Sequence, residues 1–353
     1  MPSKRGWLSR FGPVLPVVLA VAAALTPLPR PLVDRWYSTG IYPFLQPLLT
    51  GASNTFRFAA LDVGVIVMVV AFVWLAAREW RRSSRARAAA RIAVRAAVWA
   101  AWLYLFFLAA WGLNYRRVGM SERLAFDDRS VNDAAAVRLA AAVVDRLNTL
   151  HQPAHEHGWS SGGAIDPALV DAFESTSRDL GAPRRVVAGR PKRSILNWYF
   201  ERAGVAGMTD PFFLETLISA DLLPFERPFV IAHEWSHLAG LADEGEANVS
   251  GWLTCLRGST GHQYSGWLFM FEEIMRAVPD AQRDSLIKPL ERGPRDDLRA
   301  IREREALHVN QRLAAAGWRA YDSYLKANRI EAGSKSYDDV VRLALGLRVA
   351  AAY

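Results

Sequence analysis

The sequence predicts a mainly α-helical protein of the α+β class, in which three N-terminal transmembrane helices precede a helix-rich domain with a small sheet. Two observations lead to this prediction. Three long apolar runs lie in the first third of the chain and match the length of a membrane span. After them, stretches with apolar residues at helical spacing alternate with short segments rich in β-formers. We therefore expect a membrane domain over residues 1–115 and a second domain over residues 116–353.

The three expected spans cover about residues 11–29, 58–77 and 96–113. Each is close to the roughly 20 apolar residues that cross the hydrocarbon layer. The first run is also compatible with a signal peptide, but it ends in Leu-Thr-Pro-Leu-Pro-Arg, which is a poor cleavage site. We therefore favour an uncleaved first span over a signal peptide that is removed.

The positive charge of the chain is concentrated beside the expected spans. The formal net charge is +8, and its densest cluster lies between the second and third spans: Arg78, Arg81, Arg82, Arg85, Arg87 and Arg91. Cytoplasmic loops carry an excess of Lys and Arg, so we expect this loop and the N-terminus in the cytoplasm and residues 116–353 outside it. The lipid bilayer is therefore an expected partner, and nucleic acid is not. The single Cys255 excludes an internal disulfide and a cysteine-based zinc site.

The stretch His-Glu-Trp-Ser-His at 233–237 has the spacing of a zinc-binding helix. His233 and His237 are four residues apart, so on a helix both imidazoles lie on one face and can hold one Zn²⁺. Glu234 is then within reach of a zinc-bound water as general base. Pro228 suits the first turn of this helix, and Gly240 suits its end. These residue types favour hydrolysis of an amide.

A third zinc ligand is expected among the acidic residues that follow Gly240. Asp243, Glu244 and Glu246 all lie within a few residues of His237. The connecting chain is long enough for any of the three to return to the metal. Chain length by itself leaves these three candidates open.

Two motif resemblances order the three candidates. Residues 244–248, Glu-Gly-Glu-Ala-Asn, resemble the ExxA(D/N) element of gluzincin peptidases, including the membrane proteases related to prenyl-protein and heat-shock peptidases. This resemblance implies that Glu244 binds zinc and that Asn248 braces the site. Asp243 instead matches the third-ligand position of the metzincin variant HExxHxxGxxD. We rank Glu244 first, Glu246 second and Asp243 third. The gap between the two motifs is far shorter than in the better-known gluzincins.

The whole chain also resembles an uncharacterised family of bacterial membrane proteins with an HExxH domain behind about three spans. The matching stretches are WGLNYRR (111–117), GVAGMTDPFFLET (204–216), LPFERPFVIAHEWSHLAG (223–240), DEGEANVSGWLTC (243–255) and YSGW (264–267). The resemblance implies a multi-pass protein of the bacterial inner (cell) membrane whose zincin-like metallopeptidase domain cleaves a peptide or protein substrate. The alternative is a non-catalytic zincin-like module that acts as an envelope sensor or scaffold.

Other residues are expected beside the substrate. Tyr264 is our candidate for steadying the oxyanion opposite the metal, with His262 in reserve. Residues 212–218 are expected to form a strand beside the metal helix that pairs with an extended substrate. Glu215 in this strand would point either into the cleft or to solvent.

A second histidine pair lies earlier in the chain. His151 and His155 have the spacing to share a metal, and they follow a predicted helix that ends at about Leu150. The stretch Gly-Trp-Ser-Ser-Gly-Gly after them is typical of a loop. We therefore do not expect this pair to form a second metal site.

Overall fold

The structure is a computed structural model that describes residues 14–160, 163–327 and 339–348. The basic N-terminal residues and the beginning of the first expected span lie outside the described residues. The described α-helices are α1 (Val14–Leu25), α2 (Arg30–Val33), α3 (Tyr42–Asn54), α4 (Ala60–Arg82), α5 (Arg85–Ala110), α6 (Met120–Arg123), α7 (Asp133–His157), α8 (Pro167–Asp179), α9 (Asn197–Ala203), α10 (Arg227–Leu238), α11 (Glu244–Leu256), α12 (Thr260–Ala277), α13 (Asp280–Ile287), α14 (Arg292–His308), α15 (Gln311–Ala327) and α16 (Asp339–Gly346). The strands are β1 (Pro191–Lys192), β2 (Gly207–Asp210) and β3 (Glu215–Ile218). The protein is thus mainly helical with one small sheet, as predicted.

Helices α4 and α5 are each long and apolar enough to cross a membrane. They form an antiparallel hairpin, in which Phe72 of α4 meets Trp99 of α5 edge to face at 5.4 Å between ring centroids. No side chain of α4 is buried within the protein, so its apolar surface is available to lipid. These two helices correspond to the second and third expected spans.

The first expected span is not one straight helix. Within the described residues helix α1 has 12 residues and ends at Leu25, and at about 1.5 Å per residue this length is shorter than the roughly 30 Å hydrocarbon layer. Pro27 and Pro29 follow it and cannot continue its hydrogen-bond ladder. The chain then bends by 120° into the helical segment Arg30–Asn54. The described chain therefore contains two candidate spans, or three if this bent pair crosses as one broken span.

Both ends of the hairpin that face the second domain are fixed to it by hydrogen bonds. Asp62, at the start of α4, accepts from the Ser194 hydroxyl at 2.6 Å and from the Ile195 amide at 2.9 Å. Just after α5, the Trp111 indole N–H donates to the His237 carbonyl at 2.9 Å. The turn between α4 and α5, with its arginines, is at the opposite end of the hairpin.

The sheet has the order β1-β3-β2, with β1 parallel and β2 antiparallel to β3. The expected strand at 212–218 is present only as β3, and it is the central strand, so a substrate cannot pair with it. The outer strand on the other side from β1 is β2. Glu215 faces neither a cleft nor solvent, because its buried carboxylate pairs with the buried ammonium of Lys192 and accepts from the Leu61 amide.

Helices α10 and α11 pack closely because small residues line their contact. The Ser236 hydroxyl donates to the Ser250 hydroxyl at 2.8 Å. A Cβ at Gly251 would lie 2.9 Å from the backbone nitrogen of His233, so only glycine permits this approach. Trp235 and Trp252 are fully buried and fill the core around the two helices.

Candidate metal centre

Helix α10 carries His233 and His237 on one face, one turn apart. Gly240 ends the helix at φ +79°, with its amide donating to the His237 carbonyl at 2.9 Å. The Leu241 amide then donates to the Ser236 carbonyl at 3.2 Å, which completes a left-handed cap. The cap reverses the chain, so that the first residue of α11 returns to the imidazoles.

That first residue is Glu244, and it closes a triangle of ligand atoms. His233 Nε2 and His237 Nε2 are 3.2 Å apart, and Glu244 Oε2 lies 3.3 Å from the former and 3.5 Å from the latter. Atoms bound tetrahedrally to one zinc ion at 2.0–2.1 Å are separated by about 3.3 Å. The three atoms are therefore spaced like three corners of a zinc site.

The hydrogen bonds around the triangle leave its inner atoms electron-rich. His237 Nδ1 lies 2.7 Å from the Leu241 carbonyl oxygen and donates to it, so Nε2 is the nitrogen that faces the triangle and offers a lone pair once it is deprotonated. Glu244 Oε2 is buried, and no hydrogen bond from the described residues satisfies it. Three electron-rich atoms at van der Waals contact repel one another unless a cation lies between them, so the residues fit a metal ion.

The electrostatic field at the triangle favours positive charge. Burial by itself lowers the pKa of His237, but the carboxylate of Glu244 outweighs this effect and the pKa rises to about 9. Burial by itself raises the pKa of Glu244, but His237 and His233 outweigh it and hold the pKa well below its usual range. The same field that attracts a proton to this position attracts a metal cation.

The other two acidic candidates have different contacts. Asp243 is the N-cap of α11, and its carboxylate accepts from the Glu246 amide at 3.1 Å. Glu246 is directed to the other side of α11, where its buried carboxylate accepts from the Met120 amide. The structure thus brings Glu244 to the histidines and keeps the carboxylates of Asp243 and Glu246 occupied elsewhere.

Glu234 lies between α10 and the outer strand of the sheet. The Thr209 hydroxyl on β2 donates to Glu234 Oε2 at 2.9 Å, and this hydroxyl also lies 2.8 Å from the Glu234 carbonyl oxygen. Glu234 is 4 % exposed, and this burial raises the pKa of its carboxyl above the usual value. A carboxyl with a raised pKa is suited to accept a proton and return it near neutral pH.

Tyr264 does not serve the site for which it was predicted. It is fully buried, and its hydroxyl donates to Asp297 Oδ2 at 2.6 Å, in a second cluster with His151 and His155. The hydrogen bond between Tyr264 and Asp297 could not be predicted from the sequence, because the two residues are on different helices.

The remaining predicted residues, His262 and Asn248, are both buried. His262 lies 3.2 Å from Asp166 and takes part in the N-terminal cap of α12. Asn248 is buried one helical turn after Glu244, but the ring of His237 is oriented by the Leu241 carbonyl instead.

Sequence reasoning missed Tyr321 on α15. Its hydroxyl donates to Glu244 Oε1, the carboxylate oxygen that does not face the histidines. This bond leaves Oε2 as the oxygen for a metal, and it orients the carboxylate in the way that outer partners of metal ligands do. The aromatic residues at 318, 321 and 324 indicated a helix face, but nothing in their spacing identified the residue they would meet.

The fold and the cluster define a helical membrane protein with a candidate metal centre of two histidines and one glutamate. A family model described as "Protein of unknown function (DUF3810)" matches residues 37–345, and the chain therefore belongs to this family. The matched range runs from before α3 into α16, so it contains the whole cluster. No curated protein and no solved structure matches the chain.

Proposed function

We propose that the protein is a membrane-anchored, zinc-dependent metallopeptidase with a zincin-like domain. The observation that carries this proposal is the triangle of His233 Nε2, His237 Nε2 and Glu244 Oε2, with edges of 3.2 to 3.5 Å, beside the buried carboxyl of Glu234. Two imidazoles and one carboxylate suit zinc better than magnesium or calcium, which prefer oxygen ligands. A base next to such a site is what hydrolysis of a peptide bond requires.

The residues of the site divide the chemistry between them. His233, His237 and Glu244 would hold the zinc ion, which when bound acidifies a water and polarises the carbonyl of the peptide. Glu234 accepts the proton that the attacking water loses and then donates it to the nitrogen of the leaving amine, which restores its carboxylate. Thr209 holds Oε2 of Glu234, so Oε1 is the oxygen available for this proton.

The outer strand β2 supports an extended peptide as the substrate. Thr209 and Gly207 of β2 both contact Glu234, so this strand runs directly beside the proposed base. In the described sheet β2 pairs with β3 alone. An extended peptide that adds to such an outer strand has its backbone fixed by hydrogen bonds, whatever its side chains.

Two hydrogen bonds from residues of the membrane domain support a site at the membrane end of the second domain. Trp111, at the exit of α5, donates to the His237 carbonyl, and Tyr42 donates to the Leu238 carbonyl at 2.8 Å. The arginines between α4 and α5 lie at the other end of the hairpin, which favours a cytoplasmic turn and an extracytoplasmic catalytic domain. The substrate is then a peptide or protein segment near the outer face of the bacterial inner membrane.

The test compares zinc content and peptide hydrolysis in purified full-length variants. Glu234→Gln keeps the shape of the side chain but removes the base, so we expect bound zinc with turnover lowered by about 10²–10⁴-fold. His233→Ala removes a ligand, so we expect loss of the zinc ion held by this centre and loss of activity. The exposed Glu303 on α14, changed to Gln, is the matched control and keeps both.

Two outcomes contradict this proposal directly. Full proteolytic activity of Glu234→Gln would show that Glu234 is not the general base. Undiminished zinc in His233→Ala would show that His233 is not a zinc ligand. Wild-type protein that binds zinc but hydrolyses no member of a peptide library would support the alternative, a non-catalytic zincin-like sensor or scaffold.

A further inference from the structure

A second cluster of ligand side chains lies where α7, α12 and α14 meet. His151 and His155 are on α7, and Asp297 is on α14. Asp297 Oδ2 lies 2.8 Å from His155 Nε2 and 3.5 Å from His151 Nε2. One ligand atom from each of the three residues lies within 4.8 Å of the other two.

Helix α7 continues past the predicted end and makes this cluster possible. It runs to His157 and ends at Gly158, which has φ +74°. His151 and His155 are therefore on one helix face, with ring centroids 4.4 Å apart. The prediction that this helix ends at about Leu150 was therefore wrong.

Helix α14 is held against this face by contacts that do not depend on the histidines. The Asn148 amide nitrogen donates to the Pro289 carbonyl at 2.9 Å, and its oxygen accepts from the Glu291 amide at 2.8 Å. A Cβ at Gly293 would lie 2.4 Å from the His151 ring, so glycine leaves the space that this ring occupies. Asp297, one turn further, then faces both histidines.

The carboxylate of Asp297 is held in an orientation that suits a metal ligand. Its side chain is 12 % exposed, and Tyr264, which is fully buried, donates to Oδ2 at 2.6 Å. Carboxylates that bind metals are commonly fixed by such an outer hydrogen bond. The histidine side chains are 27 % and 37 % exposed, so an ion can enter from solvent and water can complete its coordination.

We propose that His151, His155 and Asp297 form a second metal site, which binds a divalent cation of the zinc class. The donor set of two imidazoles and one carboxylate selects such an ion over magnesium and calcium. The 2.8 Å and 3.5 Å separations from Asp297 bracket the roughly 3.3 Å between ligands in a tetrahedral zinc site. The ion links α7 to α14, whose ligands are more than a hundred residues apart in the chain, so its role is to stabilise their packing.

The test uses zinc as the probe and full-length protein in detergent. We expect about two zinc ions per chain in wild type and about one in either His233→Ala or His151→Ala. The double variant His233→Ala/His151→Ala should bind none. His157→Ala is the matched control, because His157 is an exposed histidine on the same helix outside the cluster, and it should keep both ions.

A second measurement does not require activity at either site. In the His233→Ala background, zinc should raise the thermal unfolding temperature, and the rise should disappear when Asp297→Asn is added. Asn keeps an oxygen that accepts from Tyr264 but loses the charge that a cation requires. Zinc content in His151→Ala equal to that of wild type, or an unchanged zinc-induced rise with Asp297→Asn, overturns this proposal and leaves a hydrogen-bonded cluster without an ion.

Discussion

Gly207 and Glu234 approach so closely that a side chain at position 207 would displace the carboxylate of Glu234. A Cβ at Gly207 would lie 2.7 Å from Glu234 Oε1 and 3.0 Å from both Glu234 Cγ and Val230 Cγ1. Strand β2 therefore contacts helix α10 closely. The strand contributes the backbone of Gly207 to this contact, and the helix contributes the side chain of Glu234, the proposed base. The position of Glu234 depends on this missing side chain.

We expect Gly207→Ala to lower peptide hydrolysis by at least about tenfold while zinc stays bound. The new methyl group would displace Glu234 Oε1, and a displacement of about 1 Å is enough to cost that much in rate. Hydrolysis assays and elemental analysis measure the two effects. Gly51→Ala on α3 is the control, because nothing lies within 4 Å of a Cβ there. Equal activity of Gly207→Ala and wild type would mean that Glu234 does not act from its present position.

Tyr321→Phe should weaken zinc binding by about 10–100-fold and leave turnover at saturating zinc nearly unchanged. The substitution removes the hydrogen bond to Glu244 Oε1 that orients the carboxylate, and outer partners of metal ligands typically have effects of this size. Competition with a chelator measures the affinity. Ser323→Ala on the same helix is the control, since the exposed Ser323 hydroxyl bonds only within α15, to the Arg319 carbonyl. A variant with wild-type affinity but no turnover would instead assign Tyr321 to the chemistry.

Glu244→Gln and Glu246→Gln should differ sharply in zinc content. In the proposed site Glu244 contributes a ligand oxygen, so the affinity of Glu244→Gln for zinc should fall by more than the 10–100-fold typical of residues that only orient a ligand. Glu246→Gln keeps an oxygen that accepts from the Met120 amide and should retain zinc. Elemental analysis after dialysis against a weak chelator compares them, and the opposite ranking would make Glu246 the ligand.

The stability of the protein should depend on pH through Asp210. Its carboxylate accepts from the Phe212 and Phe213 amides at 3.1 and 2.8 Å, yet burial raises the pKa of Asp210 from 3.8 to about 7. Between these two pH values the folded chain retains a proton that the unfolded chain has lost. The free energy of unfolding should therefore fall as pH rises from about 4 to 7, by up to about 1.4 kcal/mol per pH unit.

Asp210→Asn tests this dependence. The amide stays neutral, and its single oxygen accepts from one of the two backbone amides. The variant should lose some stability at every pH, but its unfolding temperature should change less than that of wild type from pH 5 to 8. Asp284→Asn, at an exposed aspartate, should follow wild type. Equal slopes for Asp210→Asn and wild type would show that Asp210 is already ionised in the folded protein.

Cysteine labelling in intact cells should reveal the orientation in the membrane. Native Cys255 is fully buried and should not react, which makes wild type the blank. An impermeant maleimide should label Ala281→Cys on α13 in intact cells and Ser84→Cys only after permeabilisation, since both positions are exposed in the protein. The reverse pattern would put the second domain in the cytoplasm.

The predictions that matched the structure are those that neighbouring residues encode. The four-residue spacing of His233 and His237, the stop at Gly240 and the apolar runs of α4 and α5 depend only on helical periodicity and backbone preference. The first span was predicted less well. Its hydrophobicity was visible, but the effect of Pro27 and Pro29 on its direction was underestimated.

The choice that residue spacing left open depended on contacts between distant parts of the chain. Asp243, Glu244 and Glu246 are within equal reach of the histidines, and the choice between them was made by the α11 cap and by the Met120 amide.

Sequence by itself determined a helical protein with apolar helices long enough to cross a membrane, and a pair of histidines aligned to share an ion. Tertiary structure decided which carboxylate joins them, that Tyr321 orients it, and that Asp297 meets a second pair, because these contacts join residues separated by up to 146 positions, from His151 to Asp297. Local spacing fixes which side chains share a helix face, but only the packing of helices fixes what that face meets.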